Sequence, residues 1–336
     1  MLYAGIDLHK KTITVCVRDQ ARQRVTLRTL DCRPEDKIVE FFKELGPFEA
    51  VVEATSSYEW LWQLLEPYAE RLVLAHPKKL RVIAESTRKT DRLDASILAD
   101  FLAMDMIPEA YRPTPRQRQH RALVRQRFFV RRRITGLKNK IRHITSNYNA
   151  DRLDLFEEEG QAHLAKLPVT PADRFVLKQL LASWQHFEKQ LAALDKELKA
   201  FGQKGPQREQ EARALLESIP GVGPVTVDVV ISEVGDIRRF RSAKQVVAYA
   251  GLAPGWRESA GKRVELPISK EGSPLLRWAL VEAAWRLVRQ SCHWARIFEN
   301  LKQRRGKKKA IVAVARRLLG VMVALLRQGQ RYRLAS

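Results

Sequence analysis

Cysteine is scarce, with Cys16, Cys32 and Cys292 the only three in 336 residues. They are too few and too scattered for a disulfide framework or a cysteine-rich zinc site, so a reducing cytoplasm is the expected compartment. Long uncharged apolar runs are also missing. The most apolar stretch, Ala310 to Leu326, is interrupted by Arg316 and Arg317, which fits a packed helix and not a membrane span. No charged segment followed by an apolar core stands at the start, so no signal peptide is expected. Acidic charge is in deficit: 38 Asp+Glu against 61 Lys+Arg leave a formal charge of +23. Between Glu109 and Asp151 there is no acid at all. Such a surplus makes a polyanion the natural partner, with nucleic acid ahead of an anionic membrane surface.

What is present divides into three stretches. Strand-like alternation runs through Tyr3 to Leu8, Thr12 to Arg18, Val25 to Leu30, Ala50 to Glu53 and Leu72 to Ala75, with helical spacing in Pro34 to Leu45 and Tyr58 to Ala69. Three strands, then helix, strand, helix, strand predict an α/β domain with a mixed sheet over residues 1–108. Residues 109–201 form a basic helical segment. Val130, Ile134, Leu137, Ile141, Ile144 and Tyr148 make one coiled-coil seam, and Leu177, Leu180, Trp184, Phe187, Leu191, Leu194 and Leu198 make a second. The two helices pair within the chain or with another protomer, and periodicity does not choose. Arg125, Arg131, Arg132, Arg133 and Lys138 on the first are expected phosphate contacts. A linker is expected over Gly202 to Gln210, and a mostly helical domain follows over 211–336.

Four acids stand out in the first stretch and its margin. Asp7 ends the first strand, Glu53 ends the fourth, and Asp91 and Asp94 are spaced to share one face of a helix. A carboxylate placed straight after buried strand residues is costly unless something offsets its desolvation, and a divalent cation with a preference for hard oxygen ligands does so. Mg2+ or Mn2+ is therefore the expected cofactor. Taken one at a time the acids also suit a turn, a helix N-terminal charge or an N-cap; as a set of four in this order they favour a metal site.

In the last stretch, Ile219-Pro220-Gly221-Val222-Gly223 before an apolar helix resembles a helix-hairpin-helix element, whose glycines let backbone N–H groups approach a phosphate; a tight interhelical turn is the plain alternative. Ser259 lies between Gly255 and Gly261, among Arg257, Lys262 and Arg263, as an exposed nucleophile beside phosphate-neutralising cations would. Serines in glycine-containing loops are more often turn residues, and Ser269 and Ser273 stand in a similar setting.

Together GID at Gly5 to Asp7, EATSSY at Glu53 to Tyr58, KTDRLDA at Lys89 to Ala95, IPGVG at Ile219 to Gly223, AGLAP at Ala250 to Pro254 and SKEGSPLLRWAL at Ser269 to Leu280 resemble the IS110 family of insertion-sequence transposases, the bridge-RNA-guided recombinases. The resemblance implies an RNase H/RuvC-like first domain with a DEDD tetrad on Asp7, Glu53, Asp91 and Asp94. It implies a catalytic serine at Ser259 that forms a phosphoserine link to DNA, in a site composed from two protomers. Donor and target duplex DNA, a noncoding bridge RNA and a coiled-coil-mediated oligomer, from dimer to tetramer, are the implied partners. A RuvC-like endonuclease or junction resolvase using activated water is the alternative function. A sugar-kinase or actin-like ATPase also starts with a Gly-Ile-Asp strand but would need further glycine-rich phosphate loops, which the first domain lacks. A noncatalytic nucleic-acid scaffold is a fourth reading.

Overall fold

The computed structural model describes residues 1–83, 90–259 and 262–333, and the side chains of residues 82, 83, 259, 262, 263 and 265 lie outside that description. The chain divides into two compact units, Met1–Arg112 and Pro113–Ser336.

The first unit is built on a five-stranded mixed sheet. In chain order it contains β1 (Leu2–Leu8), β2 (Thr12–Arg18), β3 (Arg24–Asp31), α1 (Asp36–Glu44), β4 (Phe48–Glu53), α2 (Tyr58–Leu65), β5 (Arg71–Ala75), α3 (Pro77–Ile83) and α4 (Asp91–Ala103). The strands lie in the order β3-β2-β1-β4-β5. β1, β2 and β3 pair antiparallel, whereas β4 runs parallel to β1 and β5 parallel to β4. This is the mixed α/β sheet expected from the sequence, and it is consistent with an RNase H-like fold.

The period of two in the strands sorts the side chains into two layers. Ala4, Ile6, Leu8, Ala50, Val52 and Leu74 bury one face together with Ile38, Phe41 and Phe42 of α1 and Leu61, Trp62 and Leu65 of α2. The other face carries α4, through Val51 and Val73 against Leu98 and Leu102, and through Cys16 against Ala95 and Ala99. After α4 the chain returns along β5: Glu109 bridges to Ala75, and Arg112 bonds Glu59 and Glu66 while stacking 4.8 Å over the Trp62 ring.

The second unit begins with α5 (Pro115–Asn147), followed by α6 (Glu158–Lys166) and α7 (Pro171–Gln203). α5 and α7 open alike, with Thr114 and Thr170 as N-caps and a proline as first residue. Each threonine hydroxyl accepts the N–H three residues on, from Gln117 and Asp173. The proline has no N–H to leave unpaired there. Each helix is 33 residues long, about 50 Å. They pack on one another within the chain: Val130 and Ile134 meet Trp184 and Leu191, and Ile141 meets Leu177, with Leu155 and Leu164 closing that end. The two seams thus form an intrachain hairpin. The charged loop between them is not structureless, since it contains α6.

Beyond the hairpin come α8 (Gln207–Glu217), α9 (Pro224–Val234), α10 (Ala243–Tyr249), β6 (Pro254–Ser259), β7 (Lys262–Ile268), α11 (Pro274–Gln290), α12 (Cys292–Arg305) and α13 (Lys307–Gln328). The linker expected over Gly202 to Gln210 is much shorter than that, because α7 continues to Gln203 and α8 starts at Gln207. Arg116 fastens the junction, donating to the Phe201 carbonyl and to Glu209. The core of this part is formed by α9, α11 and α13, with Val227, Val230, Leu280, Ala284, Val314 and Leu318 buried. No helix among the described residues is long and apolar enough to cross a membrane.

Candidate metal and nucleic-acid sites

Gly5 is the residue that brings the acids together. A Cβ there would collide with the carbonyl of Ala95 and the amide of Ala99, and would sit 2.9 Å from the Leu98 Cβ. Only glycine lets α4 lie this close on β1. Asp7, two residues on, faces the same side as Gly5 and so meets the N-terminal turn of α4. Thr90 caps that turn, its hydroxyl accepting the Leu93 N–H, and Asp91 and Asp94 both fall in the first turn. There the helix dipole favours negative charge. Arg18 of β2, donating to Asp100 at 2.9 Å, fixes the helix further along.

Glu53 enters from the neighbouring strand. The parallel register pairs Gly5 with Val51 and Ile6 with Val52. Asp7 and Glu53 are the next residues along, at the C-terminal ends of adjacent strands and on the α4 side. Ends of adjacent parallel strands are about 5 Å apart. Backbone register thus places Glu53 beside Asp7.

His9, which sequence reasoning missed, sits among these acids. Its Nε2 lies 3.1 Å from Asp7 Oδ2 and 3.1 Å from Asp91 Oδ1. Asp7, His9 and Asp91 form a group whose ligand atoms all lie within 4.8 Å of one another. The only sequence signal for His9 is its place two residues beyond Asp7, in the turn leading to β2. Burial pushes the Asp7 carboxyl above its ordinary value; His9 opposes that, while the charges of Asp91 and Asp94 add to it. Asp94 is thus electrostatically part of the same site. Against desolvation, Asp7 and Asp91 hold the His9 ring above its usual value. Two carboxylates close around one imidazole, with the charge of Asp94 felt at Asp7, are short of positive charge; Glu53 and Asp94 are not within the same 4.8 Å group. The donor set is dominated by hard oxygens, so the residues present fit a divalent cation.

The basic segment divides in two on inspection of its partners. Arg125 binds Glu233, which is 2% exposed, at 3.1 Å, and Arg121 holds the Ser232 and Glu233 carbonyls. Arg127 pairs with Asp195, Arg142 with Asp151, and Lys138 with Glu188 while lying over the Phe156 and Trp184 rings. These cations are engaged with acids supplied from elsewhere in the same unit. Arg131 and Arg132 are exposed and make no ion pair among the described residues, and Arg133 stacks 4.8 Å over the half-exposed Phe129 ring. A cleft of about 430 Å³ beside them is lined by Arg131, Thr135, Lys138, Asn139 and Arg142.

Gly221 and Gly223 lie in the turn between α8 and α9. Gly221, at φ +77°, faces α11: a Cβ would fall 2.8 Å from the Leu287 nitrogen and 2.9 Å from the Arg286 Cβ. Its lack of a side chain is demanded by packing. Gly223 is the N-cap of α9, and a Cβ on it would come no nearer than 3.9 Å to the Arg286 guanidinium, so this is the more open glycine.

The stretch around Ser259, read as a loop, is a β-hairpin. β6 and β7 pair antiparallel, with Arg257 opposite Val264, Glu258 opposite Arg263, and Ser259 opposite Lys262. Charged residues and Pro267 obscure the alternation in the sequence. Arg257 is exposed, and Ser259 is the last residue of β6; the side chains of Ser259, Lys262 and Arg263 lie outside the described residues. The base of the hairpin is tied by Arg277, which donates to the carbonyls of Ala250, Glu271 and Gly272. Ser269 and Ser273 have local duties, accepting the N–H groups of Glu271 and Leu276.

Comparison with known proteins places the chain among transposases. Residues 4–149 match a transposase model of the DEDD type named for IS110, and residues 213–299 match the model described as the transposase IS116/IS110/IS902 family. The chain is 30% identical to the transposase for insertion sequence element IS1111A of Coxiella burnetii, over 98% of its own length and 90% of the relative. It is 24% identical to the transposase for insertion sequence element IS1328 of Yersinia enterocolitica, over 97% of the chain and 96% of the relative. A pilin gene-inverting protein of Moraxella bovis is also similar, at 24% identity over 98% of the chain and 97% of the relative.

Proposed function

The chain belongs to the IS116/IS110/IS902 family of transposases, and on that premise we propose that Asp7, Glu53, Asp91 and Asp94 are the DEDD centre with which it cuts and rejoins DNA strands. It is an enzyme acting on DNA, and a DEDD domain implies divalent metal. The observation that carries the assignment is the approach of Asp7 and Asp91 to one shared His9 nitrogen, with the charge of Asp94 felt at Asp7. Mg2+ or Mn2+ bound by these carboxylates would supply Lewis-acid stabilisation of a phosphodiester and a lowered pKa for the attacking oxygen. The chain's own part is to fix the acids: β1 and β4 hold two at the C-terminal ends of adjacent inner strands, and α4, seated on Gly5, brings the other two.

The attacking oxygen is assigned to Ser259. In this reading its hydroxyl oxygen bonds to phosphorus as the strand's bridging oxygen leaves with a proton, and rejoining reverses the exchange. The resemblance of the whole motif series supports Ser259, as do the capping and turn roles that engage Ser269 and Ser273. Arg257, Lys262 and Arg263 neutralise the phosphate, and Gly223, at the N-terminus of α9, together with Arg131, Arg132 and Arg133 grips nucleic acid. A noncoding bridge RNA that specifies donor and target, and a homo-oligomer that completes the site, belong to the same proposal.

A second reading, a RuvC-like endonuclease using activated water, is favoured by the acids themselves, which lie wholly within the first unit. Ser259→Ala separates the two. Under the serine reading, recombination and any covalent protein–DNA adduct disappear; under the water reading, cutting continues. Sequencing the nucleic acid that copurifies tests the RNA. One discrete species is expected, and heterogeneous fragments would contradict RNA guidance.

A further inference from the structure

The acidic centre has a nitrogen in it that the DEDD pattern does not require. His9 is held by the turn between β1 and β2, where its N–H donates to the Thr12 carbonyl at 2.9 Å and its carbonyl lies 3.7 Å from the Cys32 sulfur. The Lys11 carbonyl accepts the Cys32 N–H at 2.7 Å, tying the same turn to the end of β3. The ring is thus delivered to the acids by anchored backbone. Its Nε2 is 3.1 Å from one oxygen of Asp7 and 3.1 Å from one oxygen of Asp91. One N–H cannot point well at two acceptors in different directions, so without a metal the two approaches are held by a shared hydrogen bond and by charge and not by two well-aligned bonds. The spacing has another meaning. In an octahedron with bonds of 2.1 Å, neighbouring ligand atoms are about 3.0 Å apart. The nitrogen is therefore spaced from each of the two oxygens as neighbouring ligands of one ion are, and all three atoms lie within 4.8 Å of one another.

We propose that His9 Nε2 is a direct ligand of the divalent cation held by Asp7 and Asp91, which makes the centre a mixed oxygen–nitrogen site that favours Mn2+ over Mg2+. The proposal rests on the acidic-centre reading above and adds a ligand to it. An imidazole is a borderline donor that Mg2+ accepts poorly, whereas the transition ion takes nitrogen and carboxylate together. For the lone pair of Nε2 to reach the ion, the ring proton resides on Nδ1 of this half-exposed side chain.

The test is pulsed electron paramagnetic resonance of Mn2+ bound to the full chain, with Mn2+ and Mg2+ affinities measured by titration for the intact protein, His9→Ala, Asp7→Asn and Asp91→Asn. The intact protein is expected to show nitrogen coupling to bound Mn2+, which His9→Ala abolishes. That variant loses about tenfold in Mn2+ affinity and less than about threefold in Mg2+ affinity. Asp7→Asn and Asp91→Asn that abolish Mn2+ binding, in a protein whose Mn2+ shows no nitrogen coupling, would overturn the role of His9 and leave the acidic centre standing. Mn2+ bound unchanged in Asp7→Asn and Asp91→Asn would overturn the acidic centre itself. The spectrum of the intact protein decides the ligand question by itself, so a variant that fails to fold does not blunt the test.

Discussion

A side chain on Gly5 would strike the main-chain carbonyl of Ala95, so the contact between β1 and α4 is backbone on backbone at that point. Gly5→Ala must push α4 off the sheet, and with it Asp91 and Asp94. Overpacking of this kind costs about 1–3 kcal/mol, readable as a lower denaturation midpoint. Displacing the two acids by even about 1 Å is expected to slow strand cleavage about 100-fold. Denaturation and cleavage assays on the same preparation check both, and full activity in Gly5→Ala would show that α4 does not position the acids.

The cations of α5 separate into structural and free ones, and substitution distinguishes them. Arg125→Gln leaves the buried Glu233 with weaker compensation. Because Arg125 is 59% exposed and Arg121 also faces Glu233, the expected loss is about 1–2 kcal/mol, below the full cost of breaking a buried pair. Its effect on DNA affinity should be small.

Arg131, Arg132 and Arg133 changed together to Gln should behave in the opposite way. Stability stays within about 0.5 kcal/mol. The slope of log affinity against log salt becomes shallower by about two to three, one for each lost phosphate contact. Binding titrations over a salt series measure it, and an unchanged slope would make this part of the helix a solvated face.

Glu209 carries a pH dependence. Burial raises its pKa, but hydrogen bonding and charge from Arg116, with Arg213 and His120 adding to them, outweigh that and leave the carboxyl below its usual value. A depressed carboxyl contributes stability above its unfolded value of 4.5, and that contribution is lost as the pH falls through the folded value. Glu209→Gln is therefore expected to destabilise the second unit by about 1 kcal/mol at neutral pH, with the difference from the intact protein shrinking below about pH 4. Urea denaturation at the two pH values checks this; a difference that grows on acidification would reverse the sign.

Much of the first unit was readable because its strands alternate cleanly, and the four acids sit at strand ends and in a helix first turn, where local rules already mark them. Thr90 capping α4, and the Thr-Pro starts of α5 and α7, are likewise local signals. What sequence could not give depended on distance in the chain. The acids that engage Arg125, Arg127 and Lys138 lie between 50 and 108 positions away, so the basic stretch looked more available for nucleic acid than it is. His9 has no periodicity to mark it and becomes visible only when β1 and α4 meet. Gly221 reads as a phosphate-approach glycine until α11 is seen packed against it. The β6–β7 hairpin was hidden by its charges and by Pro267, since an exposed two-stranded ribbon needs little of the apolar alternation that signals a buried strand.

The central claim is that Asp7, Glu53, Asp91 and Asp94 act together on a DNA phosphodiester, and Asp94→Asn tests it most directly. Strand cleavage and DNA affinity are measured in parallel on the same duplex with Mg2+ or Mn2+ present. The account predicts cleavage reduced by about 100-fold or more with binding within about threefold of the intact protein, since Asp94 belongs to the metal centre and not to the phosphate-gripping surface. Undiminished cleavage in Asp94→Asn, or a loss of binding as large as the loss of cleavage, would contradict it.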